Sequence, residues 1–278
     1  MPMVLICGGK GFVASYTDKA LLERGYEINT YDKVDGQDIL NLEQLEATVK
    51  TFEPKWIIHL AGQVNLAPSL SNPQFDAVTN IVGTLNVLEV ARRHNCGVTF
   101  SSSGAVYGNN YQYPEPVSPY GISKLTAETY CRLYNKLYGL HTVVFRFSSV
   151  YGLGRAPTSI NLIVNKALKG EPIKITGDGN QTRDFTYVTD VADALVMSAE
   201  KKFPSGIYDI GTGTATSLNE LILVLEKLLN KKITVDYIPE NVGDPKRNEL
   251  NVSKIAVYGF KAKTSLEEGL KVLIKQIK

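Results

Sequence analysis

The apolar run at residues 4–7 (VLIC) ends abruptly in Gly8-Gly9-Lys10-Gly11-Phe12-Val13-Ala14, and a helical pattern then runs to Arg24. Few folds accept a buried strand that empties into glycines at the mouth of a helix. Gly9, Gly11 and Ala14 fit the spacing G-x-G-x-x-G/A. Small residues at those points allow a tight turn, close approach of backbone to a pyrophosphate, and packing of the helix on the sheet. The helix N-terminus would then offer its N–H groups to phosphate oxygens. The next predicted strand, residues 26–31, ends beside Asp32, close to the spacing of about 20 residues expected for a ribose-binding acid. A carboxylate there accepts hydrogen bonds from ribose hydroxyls and repels a 2′-phosphate, which favours NAD over NADP. The neighbouring Lys33 argues the other way, and a glycine turn in a protein that binds no nucleotide remains the alternative.

The rest of the first half repeats the rhythm. Gly25 breaks the first helix. A helix is predicted over 42–52, a strand over 56–60, a long helix over 74–94, a strand over 98–102, a helix over 119–138 and a strand over 142–147. Buried strands alternating with helices predict an α/β protein with a Rossmann-type, doubly wound parallel sheet. After Tyr151 the rhythm fails. Residues 152–157 read as a loop, followed by a helix over 160–169, a turn at Gly177-Asp178-Gly179, a helix over 218–230, a strand over 233–237 and a helix over 266–277. Two units are expected. Residues 1–150, with about 184–212, would bind NAD, and 151–183 with 213–278 would form a smaller mixed α/β substrate domain. Ligands in such folds sit at the carboxyl ends of the parallel strands.

Composition excludes several classes of function. With 44% apolar and 21% charged residues and a net charge of +2, the 278-residue chain is ordinary for a globular protein. It shows no bias toward nucleic acid or an anionic membrane surface. No segment approaches the roughly 20 apolar residues of a membrane span. The N-terminus has no basic region or cleavage site, so no secretory signal is expected. Cys7, Cys96 and Cys131 are odd in number and widely spaced, which fits buried thiols in a reducing cytoplasm better than disulfides. No residues have metal-ligand spacing.

Tyr120-Gly121-Ile122-Ser123-Lys124 places Tyr and Lys four residues apart, on one face of a helix. A free phenol, with a pKa near 10, is a poor base at neutral pH. A nearby ammonium and an oxidised nicotinamide both favour the phenolate, which makes Tyr120 a candidate to take a proton from a hydroxyl. Ser101-Ser102-Ser103 ends the fourth strand, at the same edge of the sheet. Alone, Tyr-x-x-x-Lys also arises by accident. The glycine loop and the serine strand end make an accident a poor explanation.

These pieces, with HLAGQ, IVGTLNVLE, RFSSVYG and GNQTRDFTYVTDV in order, resemble an extended short-chain dehydrogenase/reductase of the NAD-dependent epimerase/dehydratase family over nearly the whole chain. The resemblance implies that Gly8, Gly11, Phe12 and Val13 hold the pyrophosphate and Asp32 the adenosine ribose. Asp38 and Ile39 would lie at the adenine. Leu60, Ala61, Gln63 and Ser101 would line the cofactor, with Asn80 supporting it. Ser103 would hold the reacting oxygen. Tyr120 would be the base, and Lys124 would bind the nicotinamide ribose while lowering the tyrosine pKa. Asn80 could instead be an internal helix hydrogen bonder, and Gln63 a plain loop residue.

On the substrate side, the resemblance implies that Arg183 holds the diphosphate of a nucleotide-sugar, with Arg247 a second candidate. A guanidinium fork suits paired phosphate oxygens. Pairing of Arg183 with Asp184 is the alternative. Two positions depart from the pattern. Ser149 stands where an asparagine often contacts the diphosphate, and Asn241 where an arginine often lies. Asn248 is a further candidate for shaping the pocket.

Family members share an oxidation of a sugar hydroxyl, commonly at C4, with hydride passing to NAD. Dehydratases usually carry an Asp-Glu pair after the catalytic Ser/Thr, and decarboxylases a glutamate. Here Gly104-Ala105 follow Ser103, and neither can move a proton. That points to an epimerase, and SSSGAVYG is most similar to nucleotide-sugar 4-epimerases such as those acting on UDP-hexoses. A 2-epimerase of CDP-deoxysugars, a reductase or dehydrogenase that releases NADH, and a non-catalytic dinucleotide-binding protein remain alternatives. The resemblance also implies a homodimer through the helices near 74–94 and 119–138.

Overall fold

A strand that is apolar at every position has to be covered on both faces, and β1 (Met3–Cys7) is covered in this way. The computed structural model describes residues 1–110, 112–154, 158–240 and 246–278. Of the positions singled out in the sequence, 155–157 and Asn241 lie outside these residues, as does the side chain of Asn248. After β1 come α1 (Phe12–Glu23), β2 (Glu27–Tyr31), α2 (Leu42–Phe52), β3 (Trp56–His59), α3 (Leu66–Ser71), α4 (Pro73–Ala77), α5 (Gly83–Arg93), β4 (Gly97–Ser103), α6 (Pro119–Tyr138) and β5 (Thr142–Phe147). The second half contains β6 (Ser149–Tyr151), α7 (Ser159–Lys169), β7 (Ile173–Thr176), β8 (Thr182–Tyr187), α8 (Val188–Ala199), β9 (Gly206–Ile210), β10 (Ala215–Ser217), α9 (Leu218–Leu229), β11 (Val235–Ile238), β12 (Arg247–Asn248), α10 (Ser253–Ala256) and α11 (Leu266–Ile277).

Among the described residues, six strands form one sheet in the order β2-β1-β3-β4-β5-β9. Every neighbouring pair is parallel. This is a Rossmann-type doubly wound α/β sheet. The order reverses between β1 and β3, and that reversal opens a crevice at the carboxyl ends of the strands. Period-two alternation divides the strands between two cores. Val4, Ile6, Trp56, Ile58, Val143 and Phe145 face α1 and α8. Leu5, Cys7, Ile57, Val98 and Val144 face α2, α5 and α6.

The smaller layer is built on β8, which pairs antiparallel with β10 and parallel with β6 and β12. Beside it, β7 and β11 form a parallel pair. Helices α7, α9 and α11 bury Ile160, Val164, Leu221, Leu225, Leu270 and Leu273 against Tyr151, Phe185 and Tyr187. Helices α9 and α11 each begin with a capping box, Ser217 with Glu220 and Ser265 with Glu268. Two details differ from the sequence expectation. The chain re-enters the large unit at α8, since β8 itself belongs to the small sheet. Ile255 and Phe260, expected in the substrate domain, pack into the core of the large sheet.

The long helix expected over 74–94 is not one regular helix. Pro73–Ala77 runs into a π-helical turn at Val78–Val82, and α-helix resumes at Gly83. A π turn widens the helix locally and is frequent at functional sites. Here the widened turn carries Asn80, a buried polar side chain whose partners lie largely outside the helix. Gly83 is needed for packing, because a Cβ there would stand 2.4 Å from Ile39 Cδ1.

Candidate active site

The turn after β1 and the loop after β3 meet at the reversal point. Gly8 has φ +83°, which glycine adopts without strain. A Cβ on Gly8 would lie 2.6 Å from the Ala61 nitrogen and 2.8 Å from the Leu60 carbonyl carbon. Gly11 donates its N–H to the Gly8 carbonyl at 3.0 Å and is the N-cap of α1. No side chain caps that helix and its first turn, from Phe12 and Val13, holds no acid. Its leading N–H groups therefore suit an anion. Phe12 also packs toward the second unit, since a Cβ on Gly154 would stand 2.4 Å from its ring. The cradle fits a dinucleotide pyrophosphate.

Asp32 closes this end of the crevice. Its carboxylate accepts from the Lys10 N–H at 2.8 Å and the Val34 N–H at 2.9 Å, tying the glycine turn to the end of β2. Each oxygen keeps lone-pair capacity for a ribose hydroxyl. Lys33 pairs with Asp38 at 3.0 Å. Ile39 is buried against Gly83, so its side chain serves the core.

Ser103, Tyr120 and Lys124 come together at the carboxyl end of β4. Pro119 and the N-cap Ser118, which accepts from the Gly121 N–H at 3.1 Å, start α6 just before Tyr120. Tyr120 is half-buried. Desolvation pushes its phenol up to about 12, the nearby Ser103 side chain opposes this, and the charge of Asp76 adds to it. Ser103 also accepts from the Ala105 N–H at 3.1 Å, which fixes its rotamer. Lys124 is 2% exposed. It donates to the Ser101 carbonyl at 2.9 Å and lies 4.9 Å from the centre of the Phe100 ring. Burial pulls its ammonium down to about 8, against the upward pull of Asp76 and Glu128. Burial, Ser103 and Asp76 thus all act on the phenol. Ser101 contributes its carbonyl here, while its hydroxyl bonds the His59 carbonyl at 2.9 Å.

Asn80 pins this group to the loop after β3. It accepts from the Gln63 N–H at 2.9 Å and donates to the Gln63 carbonyl at 3.1 Å and to Ser123 Oγ at 3.0 Å. Asp76, 1% exposed, accepts from Gln63 Nε2 at 3.0 Å and Asn80 Nδ2 at 3.3 Å. The Gln63 side chain thus holds its own loop together.

On the opposite wall, parallel pairing of β12 with β8 sets Arg247 beside Thr182 and Asn248 beside Arg183. Two arginine positions far apart in sequence are neighbours in space. Arg183 donates to the Thr182 carbonyl at 2.8 Å and Arg247 to Glu249 at 2.6 Å. Asp184 is fully buried and bonded to Thr212 and to the Gly213 N–H. Its carboxylate is committed to that loop. Ser149 sits opposite Phe185 in the pairing of β6 with β8.

Residues 4–211 match the model of the NAD dependent epimerase/dehydratase family. The chain belongs to that family. Its cofactor is NAD. A putative UDP-glucose 4-epimerase of Methanocaldococcus jannaschii is 34% identical, covering 99% of this chain and 98% of that protein. The crystal structure of the Thermotoga maritima UDP-glucose 4-epimerase with UDP-glucose superposes with a TM-score of 0.94 at 32% identity, covering 99% of this chain and 98% of the other. That of the Thermus thermophilus UDP-glucose 4-epimerase with NAD gives 0.91 at 29%, covering 98% of each.

This epimerase/dehydratase family member also has a buried polar network behind Ser103 that sequence reasoning missed. Glu128 takes two bonds from Arg146, at 2.9 and 2.6 Å, and one from Ser102 at 2.5 Å. Arg146 also donates to the Tyr107 hydroxyl at 2.7 Å, and that hydroxyl donates to Asp209 at 2.9 Å. Burial pulls the Arg146 guanidinium down, and Glu128 more than restores it. The signal was an arginine inside the apolar strand TVVFRF, which demands a buried partner. For Asp76, the signal was its four-residue spacing from Asn80. Among the described residues, no group of three or more His, Cys, Asp or Glu could hold a metal ion, and no helix is long and apolar enough to cross a membrane.

Proposed function

We propose that the chain is a NAD-dependent nucleotide-sugar epimerase acting on a UDP-hexose at C4. One observation carries the reading most. Ser103 lies close enough to Tyr120 to lower its phenol, beside the buried Lys124, and the next two residues are Gly104 and Ala105, which transfer no protons. Such a site can oxidise and reduce one carbon, and positions 104 and 105 supply no acid–base pair to act on a neighbouring carbon.

In this reading, the turn at Gly8, Gly11, Phe12 and Val13 holds the pyrophosphate and Asp32 the adenosine ribose. Asp38 and the backbone near Ile39 border the adenine. Leu60, Ala61, Gln63, Ser101 and Asn80 shape the nicotinamide end. When bound, NAD supplies the acceptor of the C4 hydride and its return. Tyr120 takes the proton of the C4 hydroxyl and later gives one back. Ser103 holds the reacting oxygen throughout. Lys124 holds the nicotinamide ribose. Arg183 and Arg247 are the residues this reading assigns to the diphosphate, with Ser149 as a shorter donor than the usual asparagine. The keto-sugar turns over between the two walls and receives hydride on its other face. A homodimer is part of the same reading, supported by exposed Val78, Val82, Ile122, Leu133 and Leu137 on the paired helices.

Tyr120→Phe separates an enzyme from a dinucleotide-binding scaffold. Loss of the acid–base group is expected to lower kcat by about 10²–10⁴-fold, with NAD binding and melting temperature retained. Full activity in the variant would refute the assignment of the base.

A further inference from the structure

Asp76 is buried beside the reacting groups and is not explained by packing. One oxygen accepts from Gln63 and Asn80; the other, Oδ2, is buried with no hydrogen-bond partner. Buried carboxylate oxygens are costly unless a charge balances them. The nearby cation is Lys124. A Cβ on Gly62 would stand 2.8 Å from Asn80 Oδ1 and 3.4 Å from Lys124 Nζ, so Asn80, which bonds Asp76, and the ammonium border the same glycine.

We propose that Asp76 is the positioning residue of this site: its carboxylate fixes Asn80 and Gln63 around Gly62 and is the counter-charge that keeps Lys124 an ammonium. The proposal rests on the roles given above to Tyr120 and Lys124. The other groups facing the lysine supply less: Glu128 and then Cys131 raise it by smaller amounts than Asp76. Glu128, one turn along α6, is neutralised by Arg146 of β5. His59 of β3 is held neutral, since burial and then Lys124 pull it down to about 3. Burial pushes the Cys131 thiol of α6 well above its ordinary value. Asp76 is bound only by neutral amides. Its field raises both the lysine and the Tyr120 phenol, so removing the charge must lower both together.

The test is a pH titration of Tyr120 in the NAD-loaded protein carrying 13Cζ-tyrosine, with the resonance assigned by its loss in Tyr120→Phe. Asp76→Asn keeps the acceptor and removes the charge; its midpoint is expected about one pH unit below that of the native protein. Both limbs of the pH–rate profile should move the same way. Asp76→Glu, which keeps the charge, should leave the midpoint in place. An unmoved midpoint in folded, NAD-loaded Asp76→Asn overturns the proposal. Should that variant not fold, Asp76→Ser takes its place under the same criterion. A native protein whose Tyr120 titrates but which turns over no sugar would overturn the functional reading alone.

Discussion

At the level of single residues, the strongest commitment is the burial of Lys124. Its ammonium is held down near 8 in the folded protein, against an ordinary value of 10.5. Between those values the unfolded chain binds more protons than the folded one, so stability should rise with pH across that window. Denaturant unfolding on either side of the window should show this rise in the native protein and a smaller one in Lys124→Met. Equal pH dependence in both would contradict the burial. Ser103, Tyr120 and Lys124 were legible in the sequence because each carries chemistry at a fixed spacing. Asp76 and Glu128 were not. Each is a single acid on a helix, and the residues that give it meaning come from other elements.

Elements place these residues by a few tight fits. The Gly8 turn lies against the backbone of Leu60 and Ala61, so β1 and β3 are locked at the crevice. Glu128 and Arg146 join α6 to β5, with side-chain exposures of 1% and 9%. Removing one member of such a pair leaves an unpaired buried charge. Glu128→Ala should therefore cost about 3–5 kcal/mol, measured by urea unfolding; a change below about 1 kcal/mol, the size of a surface pair, would contradict that. The strands β1 to β5 of the large sheet and the helices between them were legible from apolar runs and periodicity, whereas α8 and β9 were not. The π turn at Val78–Val82 was not, because helical patterning continues through it and only the partners of Asn80 reveal the widening. The short strands β6, β10 and β12 were also hidden, since two or three residues leave no period to read.

For the whole molecule, the doubly wound parallel sheet followed from the rhythm of the first half. The seam between the two units followed only in part: the return of the segment around 188–210 was expected, but β8 stays in the small sheet and the segment around Ile255 returns to the large one through tertiary packing. The exposed stripe on the paired helices has the same origin, as periodicity cannot tell a solvated face from a covered one. If the stripe pairs two copies, light scattering should give twice the chain mass, and Val82→Arg with Ile122→Arg should halve it. A native monomer would sink the dimer and leave the active site untouched.

The measurement that bears most directly on the function is proton NMR of UDP-glucose, UDP-galactose and their N-acetyl forms, incubated with the NAD-loaded protein and no added reductant. Interconversion at C4 without accumulation of NADH is expected. No conversion of any UDP-sugar would contradict the 4-epimerase reading, and turnover of a CDP-sugar at C2, or net formation of NADH, would replace it.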